Sequence, residues 1–340
     1  MKKPCRTSVA LSFAGALTIA IAQPAMADNV KIKIADSFPV GHYIPEYFVK
    51  PLMEQFKAKN RNVDFEYYPA EQLGKSKDML QLTQAGVVDI GYVAPAFVTD
   101  KMPLSVVAEL PLDYSSSCKG TLAYWKLAKP GGLIAKKEFE PNGVRLLFTI
   151  VLPPYQLLTK KPFQNLKDLE GQKIRTSGSA KELALKKLGT VPIQIPTPDV
   201  YEALSRGTID GMLFPFNSLP PYELHKVAKY STVGENFGSF VANYVISEKK
   251  FAALPAEVQT ALTDMGEQFV KSACEKVEND EARDIEISKK AGVTLVTLPA
   301  ADKEKLKETM ATVAKDWADN MDRRGRAGTE ALNAFKAGLK

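Results

Sequence analysis

One helix-to-strand junction occurs twice in this sequence, once in each half. The first reads Leu82-Thr83-Gln84-Ala85-Gly86-Val87-Val88-Asp89-Ile90-Gly91, and the second Ala203-Leu204-Ser205-Arg206-Gly207-Thr208-Ile209-Asp210-Gly211-Met212. In both, a helical run meets a glycine, then two β-branched residues, then an aspartate. A glycine stop followed by a strand is ordinary α/β grammar, because glycine takes the left-handed conformation that closes a helix. Its recurrence implies two similar α/β lobes. The flanking residues agree. In the first half, alternation predicts strands over 30–35 and 64–68, helices over 44–58 and 76–84, and a strand over 87–93. In the second half, strands fall over 171–176, 191–195 and 208–214, with a helix over 180–188. Thr197-Pro198-Asp199 opens another helix there, with a capping hydroxyl, proline at the first helical position and an acid in the first turn. Strands separated by single helices pair in parallel, and ligands of open α/β sheets bind beyond the carboxyl ends of the strands. Two such lobes make a hinged cleft.

The start of the chain points to export. Lys2, Lys3 and Arg6 precede an uncharged apolar run that ends in Ala25-Met26-Ala27, which is the pattern of a signal peptide over residues 1–27. The apolar part, 9–22, is shorter than the ~20 residues that cross a bilayer, and Cys5 lies ahead of it, where lipid attachment does not occur. Cleavage removes three positive charges, so the net charge falls from +6 to +3. Lysines and acids are interspersed, and the one dense basic cluster, Arg323-Arg324-Gly325-Arg326, reads as solvated surface, so no nucleic-acid partner is expected.

Cys118 and Cys274 survive processing, and an oxidising compartment allows them to pair if the fold brings them together; buried free thiols are the alternative. With His42 and His225 they form no metal-ligand spacing, so neither metal nor cofactor is expected. No nucleophile elbow, C-x-x-C, phosphate loop or His–carboxylate pairing is present, which argues against an enzyme. His42 reads as a loop residue and His225 as a helix-face residue. Residues 255–290 hold no proline or glycine beyond Pro255 and Gly266, which predicts one long helix or two that meet near Gly266.

Five blocks carry a family resemblance: EQLGKSKDMLQLTQAGVVDIGYVAPAF, MPLSVVAELPL, LEGQKIRTSG, LGTVPIQIPTPDVYEALSRGTIDGM and LPAEVQTAL. In this order they resemble the extracytoplasmic solute-binding subunits of tripartite ATP-independent periplasmic (TRAP) transporters. The resemblance implies an α/β, two-lobe periplasmic binding protein fold with a hinged central cleft and a long bracing helix. It implies chain crossings near Val151, Phe240 and Asp280, so that lobe I comprises 28–150 plus 241–280 and lobe II 151–240 plus 281–340. The partners implied are a small organic carboxylate and the small and large membrane subunits, with the protein in the periplasm. A binding protein of an ATP-driven importer or a ligand-sensing receptor is the alternative.

Relatives hold a ligand carboxylate with the arginine of the K-I-R strand, here Arg175. The residues agree, since Arg175 precedes a polar turn that opens the next helix, where a guanidinium fork and free N–H groups can meet an anion. Spacing from the same blocks adds Phe38, Pro95 and Phe214 after three strands, and Asn217 as a polar contact. Tyr155 stands where many relatives place a second arginine, Phe214 where many place asparagine, and Leu213 where an acid is common. These departures point away from a small polar dicarboxylate or sugar acid, and toward a ligand with an aromatic or branched apolar portion.

Overall fold

The structure, a computed structural model, describes Met1 and residues 29–59, 62–114 and 116–340. The signal peptide and Cys5 lie outside the described residues, Met1 excepted. In chain order the strands are β1 (Val30–Ala35), β2 (Val63–Tyr68), β3 (Ile90–Val93), β4 (Val144–Val151), β5 (Gln156–Thr159) and β6 (Lys173–Thr176). They continue with β7 (Val191–Gln194), β8 (Gly211–Phe214), β9 (Tyr230–Thr232), β10 (Val241–Ser247) and β11 (Thr294–Val296). Two sheets result, ordered β2-β1-β3-β10-β4 and β11-β9-β5-β8-β6-β7. β1 runs parallel to β2 and β3, and β6 parallel to β7 and β8, as helical crossovers require. β10 and β5 enter antiparallel.

The twin junctions are built alike. Gly86 and Gly207 have φ of 74° and 76°. The next amide reaches back into the helix: Val87 N–H donates to the Leu82 carbonyl at 3.0 Å, and Thr208 N–H to the Ala203 carbonyl at 2.9 Å. The aspartates then stitch the incoming strand to its neighbour. Asp89 N–H donates to the Lys33 carbonyl at 3.0 Å while its carboxylate accepts Lys33 N–H at 2.8 Å; Asp210 treats Lys173 the same way at 2.8 and 2.9 Å. The strands therefore begin at Ile90 and Gly211 rather than at 87 and 208, because the β-branched pairs are spent on the turn. The helix expected over 44–58 is likewise two, Tyr43–Tyr47 and Val49–Ala58, broken at Phe48, whose ring stacks on Phe148 at 5.1 Å.

Two linkers join the sheets and run side by side. The chain leaves β4 at Val151 and enters β5 at Gln156, then returns to β10 through 233–240. Leu152 N–H donates to the Phe240 carbonyl at 2.9 Å and Tyr155 N–H to the Gly238 carbonyl at 2.8 Å. The 35-residue helix Ala256–Lys290 passes Gly266 unbroken. A Cβ at Gly266 would lie 2.0 Å from the Leu147 carbonyl oxygen, so glycine is there to let the helix approach β4. Cys118 and Cys274 form a disulfide, with Cα atoms 4.7 Å apart, that ties the helix Ser117–Ala128 to this long helix. Arg323 to Arg326 are exposed at a helix end. Among the described residues no helix is long and apolar enough to cross a membrane.

Candidate functional site

β6 carries Arg175 between β7 and β8, so its side chain rises from the middle of a sheet toward the carboxyl ends of the strands. The residue is fully buried. Its Nε–H donates to the Ile195 carbonyl at 2.9 Å, one terminal nitrogen to Thr197 Oγ1 at 3.1 Å, and the other to the Leu213 carbonyl at 3.5 Å. These bonds fix the guanidinium plane. They also correct the expected helix start: Pro196, not Thr197, occupies the cap position, and the Thr197 hydroxyl accepts from Arg175 instead. Among the described residues no carboxylate reaches ion-pair distance of Arg175. Burial lowers its pKa to about 10, which leaves it cationic at neutral pH. A buried charge without a counter-charge is costly, on the order of several kcal/mol.

Aromatic rings surround this cation. The Phe214 ring lies 5.4 Å from the guanidinium carbon, within cation–π range. Tyr155 and Tyr222 pack on Phe214 at 6.0 and 5.9 Å. From Tyr222 the contacts continue to His42 at 5.5 Å, and from His42 to Phe38 at 4.5 Å and Tyr43 at 4.4 Å. Tyr92 closes the far side, 4.6 Å from Phe38. The structure thus connects Arg175, Phe214, Tyr155 and Phe38 through one set of rings drawn from both sheets. Pro95 is buried in the 3-10 turn Pro95–Phe97, and it is the neighbouring Ala96 that meets the turn after Arg175. Asn217 lies after β8, and neither its amide oxygen nor its amide nitrogen finds a hydrogen bond. Burial raises the Tyr43 phenol well above its ordinary range, and the nearby Ser218 and Asn217 side chains oppose that rise. The hydroxyls of Thr176 and Ser177, next to Arg175, are also buried without partners.

Several of these residues escape a sequence reading. His42 is not a plain loop residue: its Nδ1 caps the helix Tyr43–Tyr47 by accepting Ile44 N–H at 3.2 Å, and burial lowers its pKa to about 3. It is a neutral ring in an aromatic stack. The only available signal was its place before a helix. Tyr92 and Tyr222 have none, because their role depends on the sheets facing each other. An open groove of about 1140 Å³ lies elsewhere, lined by Leu112, Gln156, Glu235, Ile285, Lys303 and Met310 among others, and none of the six expected ligand residues lines it. Two of its charged pairs are Lys303 with Glu235 and Lys307 with Asp113.

Comparison with known proteins fits a cleft of this kind: the family model for bacterial extracellular solute-binding proteins, family 7 (DctP), matches residues 32–320. The chain belongs to that family. Among its relatives is the C4-dicarboxylate-binding periplasmic protein DctP of Rhodobacter capsulatus, 29% identical over 349 residues, with 96% of each chain covered. A TRAP solute-binding protein from a marine metagenome, specific for aromatic acids and solved with metahydroxyphenylacetate, superposes with a TM-score of 0.85 at 24% identity, covering 91% of this chain and 98% of that one. A TRAP periplasmic solute-binding protein of Bordetella bronchiseptica, solved with (R)- and (S)-mandelate, gives 0.82 at 25% identity, with 91% and 98% covered. These folds have two lobes, as here. This solute-binding protein is thus a transport subunit of the TRAP class rather than an enzyme.

Proposed function

We propose that this solute-binding protein captures a monocarboxylate with an aromatic or branched apolar body and delivers it to the small and large membrane subunits of a TRAP transporter. The observation that carries the reading is Arg175, a buried cation for which no described residue provides a carboxylate. A ligand carboxylate supplies the missing charge, through charge-assisted bonds worth ~1.5–3 kcal/mol. Phe38, Tyr155 and Phe214 offer the body of the ligand an aromatic enclosure, where each buried methylene contributes ~0.8 kcal/mol. Asn217, with both amide atoms unpartnered, is the polar contact, and Pro95 shapes the wall. The aromatic acids held by two similar proteins support this choice over the dicarboxylate named for the Rhodobacter relative.

Residues 1–27 direct export to the periplasm in this account. The two lobes, 28–150 with 241–280 and 151–240 with 281–340, rotate about the paired linkers, and closure excludes water and strengthens the ion pair. Calorimetric titration with benzoate, mandelate, a branched oxo acid, succinate and a sialic acid tests the ligand class. The aromatic or branched acids bind, and Phe214→Ala weakens them by about 1–3 kcal/mol without abolishing binding. Tight binding of succinate or the sialic acid, with the others silent, contradicts the proposal.

A further inference from the structure

A second buried charge stands beside this site, and unlike Arg175 it is paired. Lys181 lies in the first turn of the helix Ser179–Lys187, which follows β6 in the second-sheet lobe. Glu109 ends the 3-10 segment Ser105–Glu109, which belongs to the first-sheet lobe. Neither side chain has any exposure, and Lys181 Nζ lies 3.0 Å from Glu109 Oε2. The same ammonium donates to the carbonyl of Ser239, in the linker that returns to β10. Glu109 Oε1 accepts Val241 N–H at 3.3 Å, at the start of β10. One ion pair thus joins the helix after β6 of the second sheet, a segment packed against β10 of the first, and the linker between the sheets.

Two glycines allow the surrounding backbone to close on the pair. A Cβ at Gly178, in the turn after Arg175, would lie 2.9 Å from the Ala96 Cβ and 3.3 Å from Glu109 Oε2. A Cβ at Gly238 would lie 2.6 Å from the Glu109 carbonyl oxygen and 3.1 Å from Lys181 Cγ. Gly178 has a φ of 89°, so its turn is also one that a side chain strains. The Tyr155 and Phe240 rings lie 5.3 and 5.7 Å from the ammonium, which places the pair against the cage wall.

We propose that Lys181 and Glu109 form a closure latch: they separate into water when the lobes open and pair in the dry interface when the lobes close. A fully buried pair gains little over an apolar pair of the same volume, but a buried charge that has lost its partner is strongly unfavourable. A half-closed cleft leaves both charges desolvated and unpaired, so the latch makes closure an all-or-none step and holds the turn after Arg175 in one position. Lys181 and Glu109 are positioning residues in this scheme, since they act on the ligand through the turn of residues 176–178. The latch rests on lobe closure and not on which acid is bound.

The test wedges the cleft open without a ligand. Gly178→Ala drives a Cβ into Ala96, 2.9 Å away, at a backbone of φ 89° and ψ 163° that itself favours glycine; Ala96→Leu wedges the same contact from the other side without that backbone strain, should the first variant fold poorly. Small-angle scattering reads opening as a larger radius of gyration, and amine acylation with mass spectrometry reads the exposure of Lys181. The wild-type protein saturated with whichever acid binds it, or as purified, is the closed reference. The latch predicts that the wedged protein expands and that Lys181 reacts about tenfold faster or more, because local opening sets the accessible fraction. An expanded protein in which Lys181 stays protected overturns it, making the pair part of the static hinge. A protein that does not expand, whether or not Lys181 reacts, overturns it too, because the Gly178–Ala96 contact then does not report closure.

Discussion

Arg175 and Lys181 are both fully buried cations, one at the end of a strand and the other in the first turn of the helix that follows. Lys181 has a carboxylate at 3.0 Å; Arg175 has backbone carbonyls and a hydroxyl, and among the described residues no carboxylate. Desolvation lowers the pKa of both, and for Lys181 the Glu109 charge opposes the shift. The difference separates architecture from function. A chain that needed Arg175 only for its fold would have paired it as it paired Lys181. In the proposed function, the unpaired cation is held for an anion from outside.

The largest effect that sharpens this contrast comes from Glu109→Leu. It strands the Lys181 ammonium in the closed form, and the expected loss of folding stability in urea unfolding of the acid-saturated protein is about 3–5 kcal/mol. Arg175→Met strands no opposite charge, so its loss in the ligand-free protein is smaller, lost hydrogen bonds being offset by relief of a buried charge. Equal losses for the two variants would erase the distinction. The disulfide comes next: Cys118→Ser with Cys274→Ser opens a link between residues 156 apart in sequence and costs about 2–5 kcal/mol. Both cysteines lie on helices outside the ring cage, so ligand affinity stays unchanged. A loss of affinity equal to the loss of stability would place the disulfide in the closure mechanism.

Much of this architecture was legible because it is local. Gly86, Gly207, Asp89 and Asp210 announced two similar lobes, and the aspartate repeat has a physical cause in the paired bonds to Lys33 and Lys173. The strand, turn and helix start around Arg175 were legible for a similar reason, since they follow one another in sequence. The Gly266 helix was ambiguous because the reason for that glycine is the carbonyl of Leu147, more than a hundred residues away. The same holds for Lys181 with Glu109, and for Tyr92, Tyr222 and His42. Sequence offers no sign that residues on different sheets will face each other. Arg175 stood out by motif, whereas Lys181 looked like any lysine on a helix.

A third way of burying a titratable group is to give up its charge, and the pH dependence of stability tests it. His42 has a folded pKa of about 3 against 6.5, so the unfolded chain takes up a proton below pH 6.5 that the folded chain refuses, and stability falls as pH drops from 6.5 toward 3. Asp36, raised to about 6 by burial against bonds from Tyr244 and Tyr67, and Glu138, raised to about 7 by burial, act in the opposite sense. Their folded forms hold a proton longer, so they add stability as pH falls through 7 and 6. His42→Asn keeps a cap acceptor and removes the opposing slope. The variant gains on the wild type by about 1.4 kcal/mol per pH unit below 6.5, measured by urea unfolding across that range. Parallel pH profiles would mean that His42 titrates normally in the folded protein.

In the proposed function Arg175 waits for a carboxylate, and titration of wild type and Arg175→Met with the best-bound acid of the panel puts that role at stake. The variant is expected to fold with an unfolding midpoint close to that of the wild type and to lose affinity by about a hundredfold or more, the loss that follows from removing ~3 kcal/mol of charge-assisted bonding. Retention of wild-type affinity within a few-fold, in a folded Arg175→Met protein, would contradict it.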